Sequence, residues 1–266
     1  MREHSRVEPP IAITGARGTL GTALVRLLSG RAVRAIDRSD GIELENRAAL
    51  REALAGCVTV VHLAALHPLV APADADASIY ERANVVPFRA LLETAREAGV
   101  RRVILASSTS VWRDAPPGES AAFYESDDPA NSDEPYSLSK RACERLLAES
   151  GLGAVVLRLA RFALTGDEED EVRKLYRAVD VRDAAEAFAL ALDRAPAGSL
   201  YSVSAPTPFR RDDAANLVRD PRAVIRHRTG RDPLWTPARI GSVVTSERAR
   251  SVLGWRARFP SALLEN

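Results

Sequence analysis

The sequence predicts an α/β fold: a parallel sheet doubly wound by helices, of Rossmann type, with a small C-terminal substrate lobe. Three observations predict it. Short β-branched runs alternate with longer amphipathic stretches over residues 11–160, the pattern of right-handed βαβ units. The first of those runs opens directly into a glycine-rich turn. Finally, 46% of the 266 residues are hydrophobic, yet no apolar run is long enough to span a membrane, so the apolar content goes to a core.

The elements follow in order. IAIT at residues 11–14 reads as a buried strand, and GARGTLG starts an amphipathic helix that runs through Leu28. Residues 32–36 form a second strand ending at Asp37, and residues 46–54 have helical periodicity with Asn46 as the cap. VTVVHL at 58–63 is a third strand, followed by a polar loop at 68–77 and a long helix at 79–98 that stops at Gly99. Residues 103–106 form a strand, 112–135 a loop, 136–149 a helix and 154–159 a further strand. Beyond Ala160 the alternation loosens to a helix at 181–192, a short strand at 200–203 and a late helix at 246–253. Residues 205–245, with scattered Pro and Arg, are expected to cap the C-terminal edge of the sheet. Residues 1–160 are therefore expected to form a dinucleotide-binding core with the catalytic groups. Residues 161–266 complete the fold and add the lobe.

Composition excludes several classes of function. Lys and Arg total 37 against 36 Asp and Glu, a net charge of +1, so no global field attracts nucleic acid. The local basic stretch Arg219, Arg222, Arg226, Arg228 and Arg231 lacks interleaved aromatics and reads as solvated surface. The N-terminus carries no apolar leader core, and two cysteines with no CxxC spacing fit a reducing compartment, so a cytoplasmic protein without a bound metal is expected. Only two of the basic residues are lysine, Lys140 and Lys174.

One lysine stands where chemistry needs it. Tyr136 and Lys140 lie four residues apart, on one face of the predicted helix. A phenol with an ordinary pKa near ~10 is a weak base at neutral pH, and an adjacent ammonium favours its phenolate. The serine-rich turn SSTSVW at 107–112 follows a strand, and one of its hydroxyls can hydrogen-bond the substrate oxygen that Tyr136 deprotonates. At the other end, Gly15 permits the tight turn after the first strand, Gly18 lets the backbone approach a pyrophosphate, and Gly21 lets the helix pack on the sheet. Asp37 can accept hydrogen bonds from the adenosine ribose and repel a 2′-phosphate, which favours NAD over NADP. Arg17 and Arg38 keep NADP as the alternative, since arginines there can grip that phosphate.

TGARGTLG, VVHLAA, Asn84, SSTSVW and YSLSK, in this order and spacing, resemble the extended short-chain dehydrogenase/reductases, more narrowly the NAD-dependent epimerase/dehydratase group. The likeness covers residues 10–260. It implies Ser108 as the hydroxyl partner, Tyr136 as acid/base and Lys140 on the nicotinamide ribose. Leu63, Ala64 and Asn84 join Gly15, Arg17, Gly18, Gly21, Asp37 and Arg38 at the cofactor. It also implies a homodimer formed through the helices at 79–98 and 136–149.

Departures from the family pattern sharpen the expectation. Glu43 stands where relatives carry an adenine-contacting Asp, Pro87 interrupts the helix after Asn84, and Trp112-Arg113 replace a Tyr-Gly pair. Arg173 follows only 12 positions after Arg161, and the acidic run between them, 167–171, reads as a solvated loop, leaving little room for a nucleotide-sugar cradle. The compact form is similar to uronate dehydrogenases. The expected substrate contacts are His67, Ser108, Thr109, Arg161 and Arg173, the last either pairing with a substrate carboxylate or forming a structural salt bridge.

The reading that results is an NAD-dependent oxidoreductase transferring hydride at a secondary alcohol of a small sugar or sugar acid. Its alternatives are a redox-neutral sugar or nucleotide-sugar epimerase and a non-catalytic NAD sensor.

Overall fold

The structure, a computed structural model, describes residues 9–265; the N-terminal segment on which the missing leader was read lies outside the described residues. Its centre is a parallel sheet. Strands β1 (Ile11–Thr14), β2 (Val33–Ile36), β3 (Thr59–His62), β4 (Arg102–Ser108), β6 (Gly153–Leu159) and β9 (Ser199–Val203) lie in the order β2-β1-β3-β4-β6-β9. From β2 the chain returns to the far side of β1. The resulting switch between β1 and β3 opens a crevice at their carboxyl ends. β4 and β6 pair over their whole lengths, from Arg102 opposite Gly153 to Ser108 opposite Leu159, so Ser108 emerges at the rim of that crevice.

Helices cover both faces. On one side α1 (Thr19–Leu27) and α7 (Val181–Arg194) bury Leu20, Leu24, Ala184 and Phe188 against Ile13, Ile104 and Leu157. On the other, α2 (Arg47–Leu54), α4 (Val86–Glu97) and α5 (Pro135–Glu149) bury Leu50, Leu54, Phe88, Leu91 and Leu147 against Ile36 and Val103. Phe88 is fully buried, a position where truncation to alanine costs about 3–5 kcal/mol. Asn46 caps α2 as expected, its side chain accepting from the Ala49 amide.

The long helix expected at 79–98 comprises α3 (Ala77–Tyr80), a π-helical turn at Glu81–Val85, and α4. Pro87 has no N–H to give the preceding turn, and the regular hydrogen-bond ladder widens just before it.

A separate lobe sits over the carboxyl edge of the sheet. It contains β7 (Arg161–Ala163) paired with β8 (Ala178–Asp180), α6 (Glu168–Lys174), α8 (Ala214–Arg219), α9 (Pro221–Thr229), and β5 (Ala122–Tyr124) paired with β10 (Ser242–Val244). Its own core includes Val172, Leu175, Phe209, Ile225 and Val243. Three expectations are corrected here. The acidic run at 167–171 is a helix start: Asp167 caps α6 and accepts from the Asp170 amide, and acids in a first turn suit the helix dipole. The stretch 112–135, expected as a loop, holds strand β5, while 205–245, expected only as a cap, is made of two helices and a strand. The late helix at 246–253 is largely a π turn, Ala249–Leu253.

Candidate active site

The nucleotide end is shaped by three glycines. Gly15 has φ +68°, and a Cβ there would stand 2.7 Å from the Ala64 amide nitrogen. Leu63 and Ala64 close this side of the crevice. The Leu63 amide donates to Thr14 O at 3.1 Å, and the Ala64 amide to the Thr14 hydroxyl at 3.5 Å. A Cβ on Gly21 would come within 2.1 Å of Gly15 O, so the α1–sheet packing excludes one. Gly18 differs: a Cβ there meets only Gly15 O, at 3.3 Å. Protein packing hardly demands glycine at that position, and the space in front of it is open. α1 begins at Gly18 with no side-chain cap and no acid in its first turn, leaving its first N–H groups for a phosphate. The residues present therefore fit a pyrophosphate.

Asp37 ends β2 and accepts from the Arg17 amide at 3.0 Å and from the Ser39 amide and hydroxyl at 3.1 and 2.9 Å. Partial burial works against its charge, but these donors outweigh it and hold the carboxyl below its usual range. The Arg17 guanidinium is committed to Asp40 at 3.0 Å, while Arg38 lies exposed in the turn with no hydrogen bond among the described residues. Between β1 and β3, Thr14 shares a 2.7 Å hydrogen bond with His62, whose ring stacks on Phe88 with centroids 4.5 Å apart. Burial and then the charge of Lys140 push this histidine down to about 3, so it is neutral at physiological pH.

The catalytic end is built on α5, with Pro135 in its first turn. Tyr136 is buried at the floor of a cavity of about 600 Å³, walled also by Tyr80, Ser110, Trp112, Arg113 and Arg177. Lys140 is buried below it, its Nζ donating to Ala106 O at 2.9 Å and lying 5.8 Å from the phenol ring centroid. That leaves two ammonium donors for a ribose. Burial draws the ammonium below its ordinary pKa. Burial likewise raises the Tyr136 phenol, and only a hydrogen bond with the Ser108 side chain counters it. The depression expected from the ammonium alone is thus absent in this geometry. Ser108 caps the turn at Thr109–Val111, accepting from the Ser110 amide at 3.1 Å.

The remaining predicted residues are placed unequally. Asn84 is buried. Its amide nitrogen donates to Leu66 O and the Ser139 hydroxyl, each at 3.2 Å, and its oxygen accepts from the Leu66 amide at 2.7 Å, tying the loop after β3 to α5. His67 stands at the rim, edge-on to Tyr136 at 5.3 Å, its Nδ1 accepting from the Leu69 amide. Desolvation and the charges of Lys140 and Arg161 keep its pKa below normal. Arg161 is exposed at the start of β7, near His67 but outside the cavity wall.

Two of the residues expected at the substrate are engaged within the protein, Arg173 in the structural salt bridge that was its alternative. Arg173 is not among the cavity's lining residues and forms an ion pair with Glu169 at 2.5 Å, one helical turn back, beside the Trp235 ring. Thr109 is buried, and its hydroxyl accepts from Arg177 Nε at 3.2 Å.

Sequence reasoning missed the groups that hold this floor together. Arg177 uses all five N–H donors, on the Thr109 hydroxyl and carbonyl, Asp114, Ser242 and Trp112 O, and so bolts the turn after β4 to the lobe. Glu144 and Arg158 form a nearly buried pair at 2.8 Å. Glu144 accepts from the Ser107 hydroxyl at 2.6 Å, and Arg158 lies over the Trp112 ring. The other Lys, Lys174, pairs with Glu171 at 2.8 Å within the lobe.

Comparison with known proteins gives three findings. A profile described as NAD dependent epimerase/dehydratase family matches residues 11–179. A 4-hydroxy-2-methyl-3-oxo-4-farnesyl-3,4-dihydroquinoline-1-oxide ketoreductase from Stigmatella aurantiaca is 28% identical, over 94% of this chain and 82% of that protein. Two solved structures superpose on nearly the whole chain. One is a short-chain dehydrogenase/reductase superfamily protein from Agrobacterium tumefaciens with bound NAD (TM-score 0.69, 25% identity, 96% and 95% covered). The other is MoeE5 with UDP-glucuronic acid and NAD (TM-score 0.68, 28% identity, 96% of each chain).

Proposed function

The chain belongs to the NAD dependent epimerase/dehydratase family, and from that premise we propose that it is an NAD-dependent oxidoreductase acting at a secondary alcohol of a small sugar or sugar acid. One observation carries the reading. Tyr136, with Ser108 acting on its phenol and Lys140 beneath, forms the floor of a cavity beside the glycine cradle.

Bound NAD+ supplies the hydride acceptor and a positive charge beside the phenol. The rest is done by the chain. Ser108 orients the substrate oxygen, and Tyr136 takes its proton as phenolate. Lys140, fixed on Ala106 O, holds the ribose and, with the cofactor's charge, counters the burial that raises the phenol. Asp37 favours NAD over NADP because its charge opposes a 2′-phosphate, while the exposed Arg38 is the group that would favour NADP. The ketoreductase relative performs the same class of hydride transfer in reverse, which supports this reading over a redox-neutral epimerase. Val86 and Leu138, left exposed on α4 and α5, support pairing of two copies through those helices. A reducing cytoplasm suits the two free, buried cysteines.

The test is NADH absorbance across sugars, lactones and sugar acids. Net NADH formation that falls by about 10²- to 10⁴-fold in Tyr136→Phe supports the reading. Isomer formation without net NADH assigns epimerase activity instead, and NAD binding with no turnover assigns a sensor.

A further inference from the structure

Three residues of α5 spaced by four, Tyr136, Lys140 and Glu144, lie along one face of the helix. They meet three consecutive residues at the end of β4. Lys140 Nζ donates to Ala106 O at 2.9 Å, Glu144 Oε1 accepts from the Ser107 hydroxyl at 2.6 Å, and the Tyr136 phenol hydrogen-bonds the Ser108 side chain. Hydride transfer uses Tyr136, Lys140 and Ser108. Glu144 is not among the residues that line the cavity.

Glu144 is held from the next strand. Arg158 stands opposite Ser107 in the β4–β6 register and grips both carboxylate oxygens, Nε on Oε1 at 3.0 Å and Nη2 on Oε2 at 2.8 Å. Its Nη1 donates to Asp128 O at 3.2 Å, and its guanidinium lies 4.8 Å from the Trp112 ring centroid. This fork fixes the carboxylate in place and orientation. An ion pair so nearly buried returns little net stability, because desolvation offsets its attraction. The charge therefore matters chiefly to the groups around it.

Lys140 is the group it serves. Burial favours the neutral amine, opposed by Cys143 and Glu144. Burial raises the Cys143 thiol to about 11, so that thiol stays protonated at physiological pH and Glu144 supplies the opposing charge. Around the ammonium stand also Tyr136 on α5, His62 on β3 and His67 in the loop beyond it, with Arg161 farther out. Tyr80 and Glu81 face Tyr136 and Cys143 from α3 and the turn that follows. Burial and Lys140 itself hold both histidines below their normal range, so neither is charged at alkaline pH.

We propose that Glu144 is a positioning residue of the reaction: it keeps Lys140 charged in its buried seat and, through Ser107, fixes the strand end that presents Ser108. Arg158 orients it. The hold on Lys140 concerns the protein alone, whereas its bearing on turnover rests on the oxidoreductase reading.

Because the chain has only two lysines, Lys140 can be titrated directly by nuclear magnetic resonance in the protein without cofactor. Lysine is isotopically labelled at Cε, the two signals are assigned with Lys174→Arg, and the Lys140 signal is followed against pH. In Glu144→Gln its transition is expected at least about one pH unit below that of the wild type, because the opposing charge is gone and burial remains. Glu144→Asp, which keeps the charge, is expected to fall between the two. Ser107→Ala, which removes the hydrogen bond and leaves the charge, is expected to titrate as the wild type does. A wild-type transition in Glu144→Gln, or an equal shift in Ser107→Ala, would mean that packing alone is at work and overturn the proposal. Should Glu144→Gln not fold, Glu144→Gln/Arg158→Gln leaves no lone buried charge and is expected to shift in the same direction; a wild-type transition there overturns the proposal equally.

Turnover gives the second readout. In Glu144→Gln the alkaline limb of kcat/KM for NADH formation is expected to move down together with the Lys140 transition. A limb that ignores a shifted Lys140 would overturn the role in the reaction. A shifted Lys140 in a protein whose wild type forms no NADH with any alcohol would sustain the hold of Glu144 on Lys140 while rejecting the oxidoreductase reading.

Discussion

Tyr136 and His62 show how burial sets protonation on opposite sides of one crevice. The neutral phenol is favoured by burial, so without cofactor Tyr136 should ionise above the ordinary ~10. A positive charge beside it favours phenolate, so NAD+ should move the transition down. Ultraviolet tyrosinate titration of wild type against Tyr136→Phe, with and without NAD+, checks both directions; a transition that ignores NAD+ would contradict the mechanism. For His62 the sign is that of a depressed folded pKa. The unfolded chain binds a proton near pH 6.5 and the folded one only near 3, so stability is full above about 6.5 and is lost as pH falls toward 3. Between pH 7 and 5 this amounts to about 1–2 kcal/mol. Urea unfolding should show that loss in wild type and a shallower slope in His62→Asn. At this scale short spacings drew attention to Tyr136, Lys140 and the glycines, whereas Ser108 was singled out in its turn only by the family resemblance. Arg177 and the Glu144–Arg158 pair were not legible, since their partners are defined only by folding.

The first βα turn allows the roles of its glycines to be separated. Gly18→Ala meets one oxygen at 3.3 Å, so its Tm should stay within about 2 °C of wild type, while Kd for NAD rises at least about tenfold. Gly21→Ala drives a Cβ into Gly15 O and should cost about 1–3 kcal/mol of stability. Calorimetry of both variants, with and without NAD, decides it; a destabilised Gly18→Ala that still binds NAD normally would remove the phosphate role. Strands and helices with clear periods were readable as elements. α6 was not, because charge suggested solvent while the same acids act as a helix start: Asp167 caps it, and Asp170 turns inward to accept from Leu164 and Thr165. β5 and β10 were invisible because three-residue strands carry no period.

At the level of the whole molecule, two cores meet across a polar seam. The sheet and its helices bury one set of apolar side chains and the lobe another, and Arg177 crosses between them with Asp114 and Ser242. Assembly is expected to add a second copy: sedimentation should give a dimer, and Leu138→Glu, placing charge on the exposed face of α5, should give a monomer of unchanged far-ultraviolet spectrum. A monomeric wild type would overturn this. The seam also has a kinetic meaning. β5 (Ala122–Tyr124) pairs with β10 (Ser242–Val244), about 120 residues further along the chain. During synthesis the sheet's first strands can find one another while β5 still lacks its partner, and contacts so distant in sequence form late. The wall of the cavity held by Arg177, Asp114 and Ser242 is therefore completed only once residues 242–244 have been made. A chain stopped before residue 242 would lack the partner of β5 and the Ser242 contact to Arg177.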